Sequence, residues 1–563
     1  MKKKILPIGI DDFKQMIEGQ YYYVDKTLFI KELLDMKGKV TLFTRPRRFG
    51  KTLNMSMLQY FFEINEDEND KLFDGLKISR SGEGYLQHMG KYPVISLTLK
   101  SLKQPTFVLA YEQLKRVLKK EYDRHRDVIW NSGCLSDSDK TRYDKIMCLD
   151  GEKADYYIAL EFLAQCLYQC HGTKVIILID GYDVPLENAY FEGYYEEMVS
   201  LIRSLFESAL KSNKNLEFAV ITGCLRISKE SIFTGLNNLE IISILNEYYS
   251  EHFGFTQREL DEMLTYYDIM EKQQLMEEWY DGFRFGGTDV YNPWSVINFV
   301  KACVRNNNVL PEPYWSNTSS NSIVRKLVER ATLSVKQEIE LLIEGKTIEK
   351  PVHEDITYED IDSTQDNLWN FLFFTGYLKK SNERMKAETK YIELSIPNSE
   401  VRYIYKTTVL RWFEEQVKQK DLTTLYHSII DGKVLELEKE LSDRLRESIS
   451  FYDNKEAFYH GFLLGLLGGM DEYLIDSNRE AGDDRYDICL RSLDVAKPVI
   501  LIEVKLASKY PEMQAKSEEA MEQIDTRNYK EAILGEGYQE LINYGISFYK
   551  KNCKVMMKRE RLS

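Results

Sequence analysis

One stretch constrains this chain more than any other. The apolar run Val40-Thr-Leu-Phe43 leads straight into Thr44-Arg-Pro-Arg-Arg-Phe-Gly-Lys-Thr52, and then into a helical segment carrying Leu53, Met57, Leu58, Phe61 and Phe62. A strand that turns through Gly-Lys-Thr into a helix is the context a phosphate-binding loop requires. Backbone N–H groups and the helix N-terminus favour anionic oxygens, Lys51 reaches toward β- and γ-phosphates, and the Thr52 hydroxyl is placed to ligate Mg²⁺. Arg45 stands where the usual pattern begins with glycine, Arg47 and Arg48 add two further cations, and Phe49 and Gly50 complete the turn. The plain alternative is a basic strand-to-helix turn in which Gly50 allows a tight bend.

Two later strands supply matching chemistry. Val175-Ile-Ile-Leu-Ile179 ends in Asp180-Gly-Tyr-Asp183, and Leu216–Ile221 ends in Thr222-Gly-Cys-Leu-Arg226. Asp180, at the carboxyl end of its strand, is where a direct or second-layer Mg²⁺ ligand sits in such a sheet. Arg226 looks like a sensor or finger arginine that would stabilise charge on a γ-phosphate, the alternative being a structural salt bridge. Continuous apolar strands alternating with helical periodicity, including Pro93-Val-Ile-Ser-Leu97, predict a parallel sheet covered on both faces over residues 1–290. Residues 291–440 read as mostly helical and charged, and 441–563 as helices followed by strand, turn, strand and helix.

At 563 residues, three or four domains are expected from about 100–200 residues each. Seventy-five basic and 90 acidic side chains leave a formal charge of −15, so any nucleic-acid binding must use a local basic surface. The eight cysteines contain no CxxC pair, and with seven histidines no zinc-ligand spacing emerges. Cys166 and Cys170, four apart on a helix, read as a reduced, buried pair. The apolar stretch after Met1-Lys-Lys-Lys4 is too short for a signal peptide, and Gly461–Met470 is too short to span a bilayer. A soluble, cytoplasmic protein without a membrane partner is the expectation.

Leu6-Pro-Ile-Gly9, Tyr22-Tyr-Val-Asp-Lys-Thr27, Arg45-Pro-Arg-Arg-Phe-Gly-Lys-Thr52, Ile179-Asp-Gly-Tyr-Asp183 and Trp279-Tyr-Asp-Gly-Phe-Arg284 together resemble the bacterial AAA-ATPase-like family, whose members couple this region to a C-terminal PD-(D/E)XK nuclease-like domain. The resemblance runs essentially end to end. It implies ATP and Mg²⁺ as cofactors, allows a homo-oligomer, and suggests that Asp25 and Lys26 face the pocket. The aromatic segments Trp279–Arg284 and Tyr291-Asn-Pro-Trp294 read as packing at a domain junction. The family's strand usually ends Ile-Asp-Glu-Tyr-Asp; Gly181 replaces that glutamate here. Glycine cannot orient an attacking water, so ATP is expected to bind with slow or no hydrolysis unless Asp183 takes over.

A second constellation lies near the C-terminus. Asp487 sits at the beginning of one strand, and Val499-Ile-Leu-Ile-Glu-Val-Lys505, the next, carries Glu503 and Lys505 at its end on one face, two residues apart. Two converging carboxylates repel each other unless a cation lies between them, and Mg²⁺ or Mn²⁺ suits oxygen donors. Lys505 would orient the attacking water or stabilise developing negative charge. This D…E-x-K pattern is that of PD-(D/E)XK nucleases. Glu456 (or Glu480) would be an additional metal-site acid and Gln523 an accessory catalytic residue, while His460 reads as a buried helix histidine. Lys505, Lys509, Lys516 and the basic tail from Lys550 to Arg561 offer charge for a phosphate backbone. The expected function is ATP binding coupled to metal-dependent cleavage of DNA or RNA. The competing reading is a non-cleaving regulatory protein that binds nucleic acid or a partner through a nuclease-like fold.

Overall fold

The computed structural model describes residues 3–64, 69–226, 232–233, 236–316, 333–354, 364–407, 422–447, 456–470, 472–477, 487–526, 533 and 535–562. The chain forms two compact units, Met1–Ser319 with Thr347–Tyr403, and Ser320–Lys346 with Ile404–Ser563. Residues between 291 and 440 are thus distributed over both.

The first unit is organised by β1 (Val40–Thr44), β2 (Val94–Thr98), β3 (Val175–Asp180), β4 (Leu216–Gly223) and β5 (Leu239–Ile242), all parallel, in the order β2-β3-β4-β1-β5. Every residue of β1 and β3 is buried, as strands covered on both faces require. Parallel neighbours need crossovers, and helices such as Lys51–Phe62, Phe107–Ser132 and Ala159–His171 provide them. Because β4 lies between β1 and β3, the carboxyl ends of these three strands are adjacent: Thr44 is opposite Gly223, and Asp180 opposite Thr222.

Two small antiparallel sheets complete this unit. One contains β6 (Phe255–Thr256), β7 (Phe283–Phe285) and β8 (Thr288–Tyr291); the other contains β9 (Ile348–Pro351), β10 (Lys379–Lys386) and β11 (Thr389–Ser395). The middle region contains the expected helices, among them Pro293–Arg305, Gln365–Phe374 and Thr423–Asp431. The β9–β11 sheet is an addition that its pattern concealed. β10 reads Lys-Lys-Ser-Asn-Glu-Arg-Met-Lys, is mostly exposed, and is tied by cross-strand ion pairs of Arg384 and Lys386 with Glu349.

One expectation about the cysteines is corrected. Cys134 and Cys170 are joined, with sulfurs 1.97 Å apart, whereas Cys166 is free and buried. The helix Phe107–Ser132 packs on Ala159–His171 and ends at Gly133, which delivers Cys134 to Cys170. Among the described residues, no helix is long and apolar enough to cross a membrane.

The second unit contains β12 (Tyr473–Ser477), β13 (Ile488–Ser492), β14 (Val499–Leu506), β15 (Glu540–Tyr549) and β16 (Asn552–Arg561), in sequence order within one sheet. Only β14 and β15 pair in parallel, joined through the helix Met513–Thr526. The strand period of two sorts the two faces. Ile500, Ile502 and Val504 pack with Phe462, Leu463 and Leu466 of the helix Glu456–Leu467. Cys489, Val499 and Leu501 pack with Met521 and Ile524 of Met513–Thr526.

Candidate functional site

Two groups of polar residues gather at strand ends, one in each unit. In the first, β1 leaves the sheet at Thr44, and the loop turns through left-handed backbone at Arg48 (φ 70°) and Gly50 (φ 81°) before Lys51 begins the helix. No side chain caps that helix start, so the loop and the helix N-terminus present backbone N–H groups to an anion.

Each loop side chain has its own anchor. Arg45 is fully buried, donates to the Thr44 and Ile242 carbonyls at 3.0 Å, and stacks over Phe253 and Phe285. Burial pushes its guanidinium down to about 9. Its contacts hold the base of the loop rather than the loop's interior. Arg47 pairs with Glu187, and Arg48 lies over the Trp294 ring, 4.4 Å from its centroid. Phe49 is buried against Phe283 and Phe285. The aromatic segments around 279–294 therefore form the wall on which this loop rests. Asp25 accepts from Thr27 and the Lys77 N–H, and Lys26 pairs with Glu259 at 2.5 Å. These contacts tie both residues to neighbouring elements.

The Lys51 ammonium donates to the Arg45 and Pro46 carbonyls, each at 2.7 Å. Asp180 is 4% exposed; its Oδ1 accepts from the Thr222 hydroxyl at 2.6 Å, and its Oδ2 forms an ion pair with Lys100 at 2.7 Å. The Lys100 ammonium also donates to the Thr52 hydroxyl. Burial pushes the Asp180 carboxyl up. Lys100 and the two hydroxyls outweigh burial and hold it below the ordinary carboxylate value. Asp183 is buried near Lys51 and Arg47: its Oδ2 accepts from the N–H groups of Cys224 (2.6 Å) and Leu225 (3.2 Å), its Oδ1 has no hydrogen-bond partner among the described residues, and burial raises its pKa. Arg226 pairs with Glu354 at 3.2 Å.

Lys100 escaped the reading of the sequence. It follows β2, whose apolar run was recognised, and Leu99 N–H bonds the Asp180 carbonyl at 3.0 Å. The available signal was the parallel sheet itself, which brings the residue after every strand to one edge.

In the second unit, Asp487 precedes β13. The antiparallel register pairs Ile488 with Ile502, so the next position brings Asp487 opposite Glu503. The Val504 N–H donates to Asp487 Oδ2 at 2.8 Å, fixing that carboxylate across the strand pair. Glu503 is 2% exposed, and Lys505 lies 3.5 Å from its Oε1. By strand parity these residues share the face covered by Met513–Thr526, the helix that carries half-buried Gln523. Glu456 opens its helix and acts electrostatically on Lys516. His460 is buried, with Nε2 2.9 Å from the Asp487 carbonyl. Glu480 lies outside the described residues. Among the described residues, no group of three or more His, Cys, Asp or Glu side chains is gathered for a metal, so this site offers two carboxylates.

The basic C-terminal segment is a strand rather than a loose tail, and several of its cations are already paired. Lys554 meets Glu438, Lys558 meets Asp525 and Glu560, and Arg559 meets Glu540.

Comparison with known proteins agrees with this division. The model of the AAA-ATPase-like family ("Predicted AAA-ATPase") matches residues 7–233, and that of the PD-(D/E)XK nuclease superfamily matches residues 454–558. An uncharacterized protein in the vnfD 5' region of Azotobacter chroococcum mcd 1 is 26% identical over 421 residues, covering 74% of this chain and 72% of its own. The chain carries an N-terminal AAA-ATPase-like domain and a C-terminal PD-(D/E)XK nuclease-like domain, a bacterial-type architecture.

Proposed function

We propose that this protein is a metal-dependent nuclease acting on DNA or RNA, with ATP as a bound regulator. The observation that carries the reading is the convergence of Asp487, Glu503 and Lys505 on one face of the β13–β14 pair. Among the described residues two carboxylates and one lysine meet there, and Glu503 is nearly buried. That donor set fits Mg²⁺ or Mn²⁺ held by Asp487 and Glu503, which when bound would supply charge neutralisation at a phosphodiester and a more acidic water. Lys505 would orient the attacking water or stabilise the developing charge, with Gln523 and Glu456 as accessory polar groups.

The phosphate loop supports nucleotide binding through Gly50, Lys51, Thr52 and the Arg47–Arg48 turn, with Asp180 and Arg226 at adjoining strand ends. Gly181 offers no carboxylate to a water, and one oxygen of Asp183, Oδ2, is taken by the Cys224 and Leu225 N–H groups. ATP would therefore persist as a ligand, with turnover below the roughly 1–10³ s⁻¹ of ordinary enzymes.

The test incubates linear and circular DNA, and RNA, with the full-length protein and Mg²⁺ or Mn²⁺. Cleavage by wild type that is lost in Glu503→Gln supports the reading. Nucleic acid bound but uncut in every divalent ion would instead support the non-cleaving regulatory role.

A further inference from the structure

A triphosphate site of this kind ordinarily gathers Mg²⁺ between the hydroxyl of its Gly-Lys-Thr motif and a strand-end carboxylate. In this chain both donors are present, and a side chain of the protein already lies between them. The Lys100 ammonium contacts the Thr52 hydroxyl and lies 2.7 Å from Asp180 Oδ2. The other Asp180 oxygen is fixed by Thr222, so the carboxylate cannot readily turn to offer a new face. The Lys100 side chain remains 44% exposed, which leaves the outer side of its ammonium accessible to an incoming anion.

The lysine stem passes beside residue 181, which has no side chain. A Cβ added at Gly181 would lie 3.0 Å from Lys100 Cγ and 3.4 Å from Cε. Gly181 also has φ +72°, a conformation that disfavours any side chain. A side chain at the position that would carry a water-orienting glutamate would therefore crowd the Lys100 stem by a few tenths of an ångström, in a backbone conformation that disfavours it.

Resting on the phosphate-loop reading above, we infer that Lys100 stands in for the divalent cation, so that a nucleoside triphosphate binds this loop without Mg²⁺. The ammonium is tethered at its site, whereas a free Mg²⁺ must shed waters and displace it from a buried carboxylate. Lys51 and Lys100 together face the β- and γ-phosphate oxygens, and the exchange of glutamate for glycine at 181 is part of the same arrangement.

The experiment measures the affinity of a fluorescent ATP analogue for the full-length protein in EDTA and in Mg²⁺. Wild type is expected to bind within about threefold under the two conditions. Lys100→Met, which keeps the apolar stem, should lose at least about tenfold in EDTA and regain affinity in Mg²⁺. Lys100→Arg, which keeps the cation, should retain binding in EDTA, and this separates charge from folding. Wild-type binding that requires Mg²⁺, or metal-free affinity unchanged in Lys100→Met, would overturn the inference while leaving the phosphate loop intact. Absence of wild-type binding under both conditions would remove the phosphate-loop reading and this inference with it.

Discussion

The two strand-end sites set lysines against carboxylates in different arrangements. In the first unit the buried carboxylate Asp180 is matched by Lys100, and Lys51 is satisfied by loop carbonyls. In the second, Asp487 and Glu503 share a face with Lys505, which lies 3.5 Å from Glu503 Oε1. A buried charge is tolerated when it is paired and costly when it is not. In the first site a lysine already lies between the Thr52 hydroxyl and the Asp180 carboxylate, whereas in the second two carboxylates lie opposite each other across a strand pair, the donor set proposed above for a divalent ion. Motifs alone lead to the same class of metal at both places, and the Lys100 contact with Asp180 is what distinguishes the first.

The largest expected effect breaks the second site. Glu503→Gln should lower divalent-dependent cleavage by at least about 100-fold, the scale of losing one charge-stabilising group at a reacting phosphate. Initial rates on a labelled oligonucleotide give the number, and unchanged rates would detach Glu503 from the chemistry. The counterpart in the first site is Lys51→Ala, which should weaken binding of a fluorescent ATP analogue by at least about 30-fold. Retained affinity would mean that the loop does not bind phosphate.

A third prediction concerns a carboxyl that belongs to neither site. Glu400 is fully buried and accepts from the Ser295 hydroxyl and the Trp315 N–H; burial pushes its pKa up to about 7 from 4.5. The folded form holds this proton more tightly than the unfolded chain does. Its stabilising contribution is therefore complete below about pH 4.5 and is lost as pH rises through 7. Glu400→Gln should remove that loss, on the order of 3 kcal/mol between those limits. Urea unfolding across pH would show the first unit's slope flattening, and an unchanged slope would assign it to other groups.

The smallest effect probes the wall beneath the loop. Arg48→Ala removes the cation over Trp294 and should cost about 1 kcal/mol in the first unit. A thermal shift indistinguishable from wild type would show that the stacking carries little energy.

How much of this was legible in the sequence depended on distance along the chain. β1 and β3 announced themselves because strands buried on both faces are continuously apolar. The pairing of Asp487 with Glu503 was readable for a similar reason, since a short connection links their strands and antiparallel register follows. Lys100 was not, because nothing local says that β2 neighbours β3 or that the residue after it reaches across Gly181. Arg45 resembled a phosphate ligand by motif, yet its aromatic partners Phe253 and Phe285 lie some two hundred residues away. β10 was hidden by composition, an exposed charged strand held by ion pairs rather than by an apolar face.

The contrast between the two sites is tested most directly by titrating the full-length protein with Mn²⁺ in the absence of nucleotide, following the resonance signal of the free ion. Wild type is expected to take up Mn²⁺, Glu503→Gln to abolish the uptake, and Asp180→Asn to leave it unchanged. Uptake that survives Glu503→Gln and disappears in Asp180→Asn would contradict that expectation.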